Sequence, residues 1–300
     1  MSTDDAGMCE SVNAASIAGL ESGVVTSTSI IVPGPTFRQF AAYAVAHPEF
    51  DYGVHLALTC DVPEGPWGPV LLAADVPTLV DKSGHFWPTT DEVARHAKLE
   101  EVERELRAQI DAALASGIRI THLDHHMFVL HCRPDLVELY AMLAIDYGLP
   151  ARLLSAPPDR LTDEAVRRAY QGAADRVARA GLPLLDAVLD DNYAVEPERK
   201  RAFHLESLRR LRPGLNELVI HCAFADARGV PPPHVDRRDA ETRFLVSVEA
   251  REELRRQRIR QTTWGDLLSP DRAARTRQPR SAGDRRGIIN DPQRVPAHDK

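Results

Sequence analysis

Two periodicities alternate along this chain. Apolar or Thr/Ser-rich runs with strand character lie at residues 24–32, 54–59, 118–123, 149–154, 183–189, 215–221 and 259–264. In the second of these, Val54, Leu56 and Leu58 share one face while His55, Ala57 and Thr59 share the other. Between the runs, apolar residues at helical spacing predict helices over 11–20, 35–47, 89–116, 134–147, 162–180, 196–211 and 236–258. Thr89 with Glu92 offers a capping box, Gly117, Gly148 and Gly181 offer stops, and Glu100 with Arg104 and Glu103 with Arg107 support an exposed face. Strand following helix in this rhythm argues for an α/β fold with a mainly parallel sheet. No internal repeat is visible.

Two stretches break the rhythm. Residues 61–90 are rich in Pro, Gly and aromatics and predict an irregular insertion of the lid or binding-loop kind, whose Trp67, Phe86 and Trp87 either stack on a sugar ring or, at least as readily, pack the loop on its own scaffold. Beyond residue 268 the composition turns to Arg, Pro, Gly, Asp and Ser, so 1–268 is expected as one folded domain and 269–300 as a disordered polar tail.

Composition narrows the function. A chain of 300 residues with 43% hydrophobic and 27% charged residues holds a large core. Its formal net charge of -7 argues against a nucleic-acid surface, which needs a basic stripe. The start carries Asp4, Asp5 and Glu10 instead of a cationic leader with an apolar run, and no stretch approaches a membrane span, so a cytoplasmic protein is expected. Cys9, Cys60, Cys132 and Cys222 are scattered without a C-x-x-C pair, which signals neither a thiolate site nor a disulfide framework.

The candidate chemistry lies at strand ends, where barrel enzymes build their sites. Four of the twelve histidines (His122, His125, His126, His131) and Asp124 fall within ten residues. Imidazole and carboxylate together suit a borderline divalent metal. A lone histidine such as His55 reads more simply as a core residue, and the Asp4-Asp5 pair as solvated acids; the group as a whole favours a metal.

The ordered set Thr3-Asp4-Asp5-Ala6-Gly7, Gly53-Val54-His55-Leu56-Ala57-Leu58-Thr59, Thr121-His122-Leu123-Asp124-His125-His126 and Glu217-Leu218-Val219-Ile220-His221 resembles the motifs of the YdjC-like carbohydrate deacetylases. The resemblance spans roughly residues 3–267. It implies a distorted (β/α) TIM-like barrel, one divalent metal (magnesium or zinc), and hydrolytic removal of an N-acetyl group from an amino sugar. Carried over residue by residue, it implies Asp5, His55 and His126 as metal ligands, Asp4 as general base, and His221 as proton donor or stabiliser of the tetrahedral intermediate. His122, His125, Asp124 and Arg152 would stand behind them, orienting ligands, base or substrate. Three protein ligands suit hydrolysis, because they leave a place where a water is acidified and the amide carbonyl polarised.

Several positions depart from the family pattern. Only three residues precede Asp4 where the family has a buried apolar strand, so the expectation is a barrel that lacks its first strand or has an open seam. Ala6 replaces an aromatic, Met127-Phe128 replace a further histidine, and Cys222-Ala223 follow His221 where Pro-Gly is usual. Alternatives therefore stand beside the enzyme: a non-catalytic member binding a carbohydrate or a partner, or another metal-dependent barrel hydrolase such as a phosphoesterase. The expected partner is a small carbohydrate, without nucleic acid or membrane, and a homodimer is allowed for.

Overall fold

The computed structural model describes residues 1–227 and 229–268; the tail expected at 269–300 lies outside the described residues. In chain order the elements are β1 (Ser2–Ala6), α1 (Glu10–Glu21), β2 (Ser27–Ile30), α2 (Phe37–Ala46), β3 (Tyr52–Leu56), α3 (Thr90–His96), α4 (Leu99–Ala115), β4 (Ile120–His125), α5 (Pro134–Tyr147), α6 (Glu164–Arg179), β5 (Ala187–Leu189), α7 (Pro197–Arg209), β6 (Asn216–Ile220), α8 (Val235–Leu245), α9 (Val248–Arg256) and α10 (Trp264–Leu267). The strands form one six-stranded sheet in the order β4-β3-β2-β1-β6-β5, and every pairing is parallel. It curls into a TIM-like half-barrel surrounded by helices. Between the edge strands β4 and β5 no ladder closes the curl; residues 149–155 span the gap through isolated bridges, Leu123 with Ala151 and Leu154 with Leu185. The strand expected at 149–154 is thus a seam. Among the described residues, no helix is long and apolar enough to cross a membrane.

Of the two expectations, the open seam is the one found, and the first strand is present. Residues 2–6 pair with β2 through Ser2–Ser27 and Thr3–Thr28 and with β6 through Ser2–Val219 and Thr3–Ile220. An apolar sequence is not required there because the strand faces a polar barrel interior on one side, while Thr3 and Thr28 share a hydroxyl–hydroxyl hydrogen bond on the buried ladder. All five residues are buried.

Other boundaries differ for local reasons. The helix expected over 89–116 breaks between α3 and α4, where Lys98 N donates to Thr78 Oγ1 at 3.0 Å and Arg133 Nη1 to the Ala97 carbonyl at 2.6 Å. The helix expected over 236–258 breaks at Ser247, whose hydroxyl caps α9 by accepting from Ala250 N. The strand expected at 259–264 is extended coil running into α10, which Thr263 and Asp266 close with a reciprocal capping box.

Candidate metal centre

Successive residues on a strand point to opposite faces, so Asp4 and Asp5 share one cavity only through distortion of β1. The β1–β2 register shifts between Thr3 and Ala6, and Asp5 is left-handed with φ 74. Aspartate tolerates that conformation better than most residues. Gly7 then turns the chain at φ 94 beneath Ile31, whose carbonyl oxygen would lie 2.6 Å from any Cβ.

The cavity, of about 230 Å³, opens at the carboxyl ends of the strands and is lined by Asp4, Asp5, His55, Asp61, His125, His126, Arg152 and His221 among others. Ligand atoms of Asp5, His55 and His126 all lie within 4.8 Å of one another. His55 Nε2 is 3.4 Å, and His126 Nδ1 3.2 Å, from Asp5 Oδ1. Behind His55, Nδ1 stands 2.8 Å from Asp124 Oδ1, the arrangement that orients a metal-binding imidazole. His126 Nε2 lies 3.1 Å from Asp61 Oδ1.

The donor set fits a divalent ion by two observations. Both oxygens of Asp5 are fully buried without a hydrogen-bond partner; Oδ2 is left to an ion pair with Arg238, and Oδ1 faces the two imidazoles with which it would share a cation. The cluster also attracts positive charge. Burial disfavours an imidazolium at His55, yet Asp124 and Asp4 outweigh it and raise the group to about 10. At His126 burial is likewise outweighed, chiefly by Asp61, and the group rises to about 9. Burial would raise the Asp5 carboxyl, but Arg238 and the two imidazoles hold it well below the usual range.

A second group, Asp4, His55 and Asp124, has similar spacing but its carboxylates are already engaged by Arg152. Arg152 reaches Asp4 at 2.7 and 2.8 Å, Asp124 at 2.7 Å and Glu217 at 2.9 Å. Against the cost of burial, that guanidinium keeps Asp4 ionised far below neutral pH. His221 lies across the cavity with its backbone N–H donated to Glu241 at 2.8 Å, and Glu241 is in turn held by the buried Lys200. Burial lowers the His221 imidazolium, which leaves the ring neutral at pH 7.

The remaining expected residues spread out. His125 borders the cavity but turns to His131, Nε2 to Nε2 at 3.3 Å. His122 lies a layer deeper, stacked on Trp264 at 5.3 Å and 4.0 Å from Asp51. Trp67 is buried with its ring 6.1 Å from that of His126, whereas Trp87 stacks on His96 and donates to the Thr78 carbonyl. Neither tryptophan lines the cavity.

Sequence reasoning missed Asp61, Asp190, Tyr193, Arg238 and the part of Glu217. Asp61 stands just past the end of a strand that carries a candidate ligand, which was a usable signal. Arg238 offered none, since its partner Asp5 lies at the other end of the chain.

Comparison with known proteins bears on the family and the fold. The family model described as YdjC-like protein matches residues 1–256. A Thermus thermophilus protein named carbohydrate deacetylase is 34% identical over 83% of this chain and 86% of its own length. One of the same name from Brevibacillus brevis is 36% identical over 51% of this chain and 57% of its own. A crystal structure from Enterococcus faecalis, titled a putative cellobiose-phosphate cleavage protein, superposes with a TM-score of 0.72 at 28% identity, covering 89% of this chain and 97% of that one.

Proposed function

The chain belongs to the YdjC-like family, and from that premise we propose that it is a metal-dependent hydrolase that removes the N-acetyl group of an amino sugar. The observation that carries the reading is the convergence of Asp5, His55 and His126 in one cavity that Asp4 and His221 also line. Two imidazoles and one carboxylate suit zinc or a neighbouring transition ion better than magnesium, which prefers oxygen ligands. Such an ion, when bound, supplies Lewis acidity to the amide carbonyl and to water.

The chain's own groups divide the remaining work. Asp4, fixed by both nitrogens of a guanidinium fork, keeps its charge and accepts a proton from the attacking water. His221, neutral and on the far wall, presents a ring N–H toward the developing oxyanion or the departing amine. Phe128 and Tyr193 give the cavity apolar surface against which a sugar ring would lie.

The test is zinc content and acetate release from N-acetylated chito-oligosaccharides. Stoichiometric zinc, release by the parent chain, and a loss of about a hundred-fold or more in Asp4→Asn with zinc retained are expected. A folded, zinc-loaded protein that frees no acetate would move the chain to the carbohydrate-binding reading.

A further inference from the structure

Arg238 is the largest fully buried side chain described, 2% exposed, and its Nη1 stands 2.9 Å from Asp5 Oδ2. Its position is fixed from several sides. Arg238 Nε donates to the Pro233 carbonyl at 3.1 Å, and the guanidinium lies 5.8 Å from the centre of the Tyr193 ring. The helix that carries it is pinned to the end of β6, because Thr242 Oγ1 accepts from Ala223 N at 3.0 Å and Glu241 accepts from His221 N at 2.8 Å.

Asp5 is therefore divided. Both imidazoles face Oδ1, and the guanidinium faces Oδ2. We propose that Arg238 is the positioning residue of the cation site: it reserves Oδ2, limits Asp5 to single-oxygen ligation, and balances the carboxylate's charge when no metal is bound. This rests on the reading of Asp5, His55 and His126 as the metal ligands.

The consequence is counter-intuitive for a group beside a metal site. A fixed cation within reach of the same carboxylate repels an incoming ion, so Arg238 weakens metal affinity while it stabilises the empty site. A purely structural residue would do the opposite, since its loss would disorder the ligands and weaken binding. Charge carries the repulsion, so lysine, which keeps a cation without the guanidinium fork, preserves part of the effect and methionine does not.

The experiment titrates Zn²⁺ into the chelator-stripped full chain by calorimetry, with thermal melts in the presence and absence of Zn²⁺. Arg238→Met is expected to bind Zn²⁺ at least about ten-fold more tightly than the parent, with a lower melting temperature when metal-free and a larger rise on adding Zn²⁺. Arg238→Lys, which keeps the charge but not the fork, should fall between the parent and Arg238→Met in affinity. Equal or weaker binding by Arg238→Met overturns the proposal, as does a methionine variant that fails to fold even with Zn²⁺. A parent chain that takes up no Zn²⁺ overturns the metal reading itself, which separates the two failures.

Discussion

Replacing Arg152 by methionine removes the only guanidinium among three buried carboxylates, Asp4, Asp124 and Glu217, none more than 5% exposed. Removing one partner of a buried ion pair costs about 3–5 kcal/mol, because the other is left charged and dry. The fold has one escape, which is to protonate a carboxyl. From an ordinary aspartate value near 3.9, holding a proton at pH 7 costs about 4 kcal/mol, so the two routes are of similar size and the loss at pH 7 is about 4 kcal/mol. At pH 5 the same proton costs only about 1.5 kcal/mol.

The sign follows from linkage. In the parent, Asp4 is depressed below its unfolded value, so its contribution is present above that value and is lost only in acid. In Arg152→Met one carboxyl is raised above its unfolded value, so the folded state holds the extra proton and stability falls as pH rises. The penalty should thus grow by about 1.4 kcal/mol per pH unit between pH 5 and 7. Urea unfolding of chelator-treated protein at several pH values measures it. A penalty below about 1 kcal/mol, or one flat with pH, refutes the reasoning. Adding Asp4→Asn should recover part of the loss, since the two sites share one network.

Gly53→Ala would place a Cβ 2.4 Å from His122 Nε2, and should cost about 1–3 kcal/mol by overpacking, with the near-ultraviolet dichroism of the neighbouring Trp264 perturbed. Burial, followed by Arg160, pushes the His131 imidazolium down to about 3, so the folded state resists a proton that the unfolded chain accepts near 6.5. Stability attributable to it is complete above about pH 6.5 and falls below that value, by about 2 kcal/mol at pH 5; His131→Gln should remove this part of the acid sensitivity, and an unchanged slope in urea melts counts against it. Lys200→Met leaves Glu241 buried with His204 and the His221 backbone N–H as its partners but without its ammonium, and should cost about 3 kcal/mol while lowering acetate release through displacement of His221.

The parts of the fold that the sequence made legible are those set by local rules. The span 134–147 emerges with both ends intact because Pro134 pre-sets the first turn and Gly148 adopts the left-handed stop at φ 67. Strand β1 was hidden because the expected signal was apolar, whereas Ser2 and Asp4 point into an interior that is itself polar. The run 259–264 misled in the opposite sense: β-branched residues there signalled a strand, but Thr263 serves as a helix cap. At the site, Asp4, Asp5, His55, His126 and His221 were marked out by the resemblance to the family motifs and not by local pattern, and they line one cavity. Arg152's three-way pairing and Arg238's contact with Asp5 arise only from the curling of the sheet, which brings distant segments together without any sequence-local trace.

Those two arginines also explain why neighbouring aspartates are suited to different tasks. Arg152 engages both oxygens of Asp4, Nη1 to Oδ2 at 2.7 Å and Nη2 to Oδ1 at 2.8 Å, and Ser29 donates to Oδ1 at 3.2 Å. A carboxylate so occupied has little directional capacity left for a metal ion, though a remaining lone pair still accepts a proton. Asp5 is engaged by Arg238 on Oδ2 alone, and its Oδ1 looks toward His55 and His126. The assignment of ligand to Asp5 and proton acceptor to Asp4 is therefore favoured by which oxygens the guanidinium groups leave free. The left-handed turn at Asp5 is what makes the division available, since a regular strand would carry the second carboxylate to the other face of the sheet.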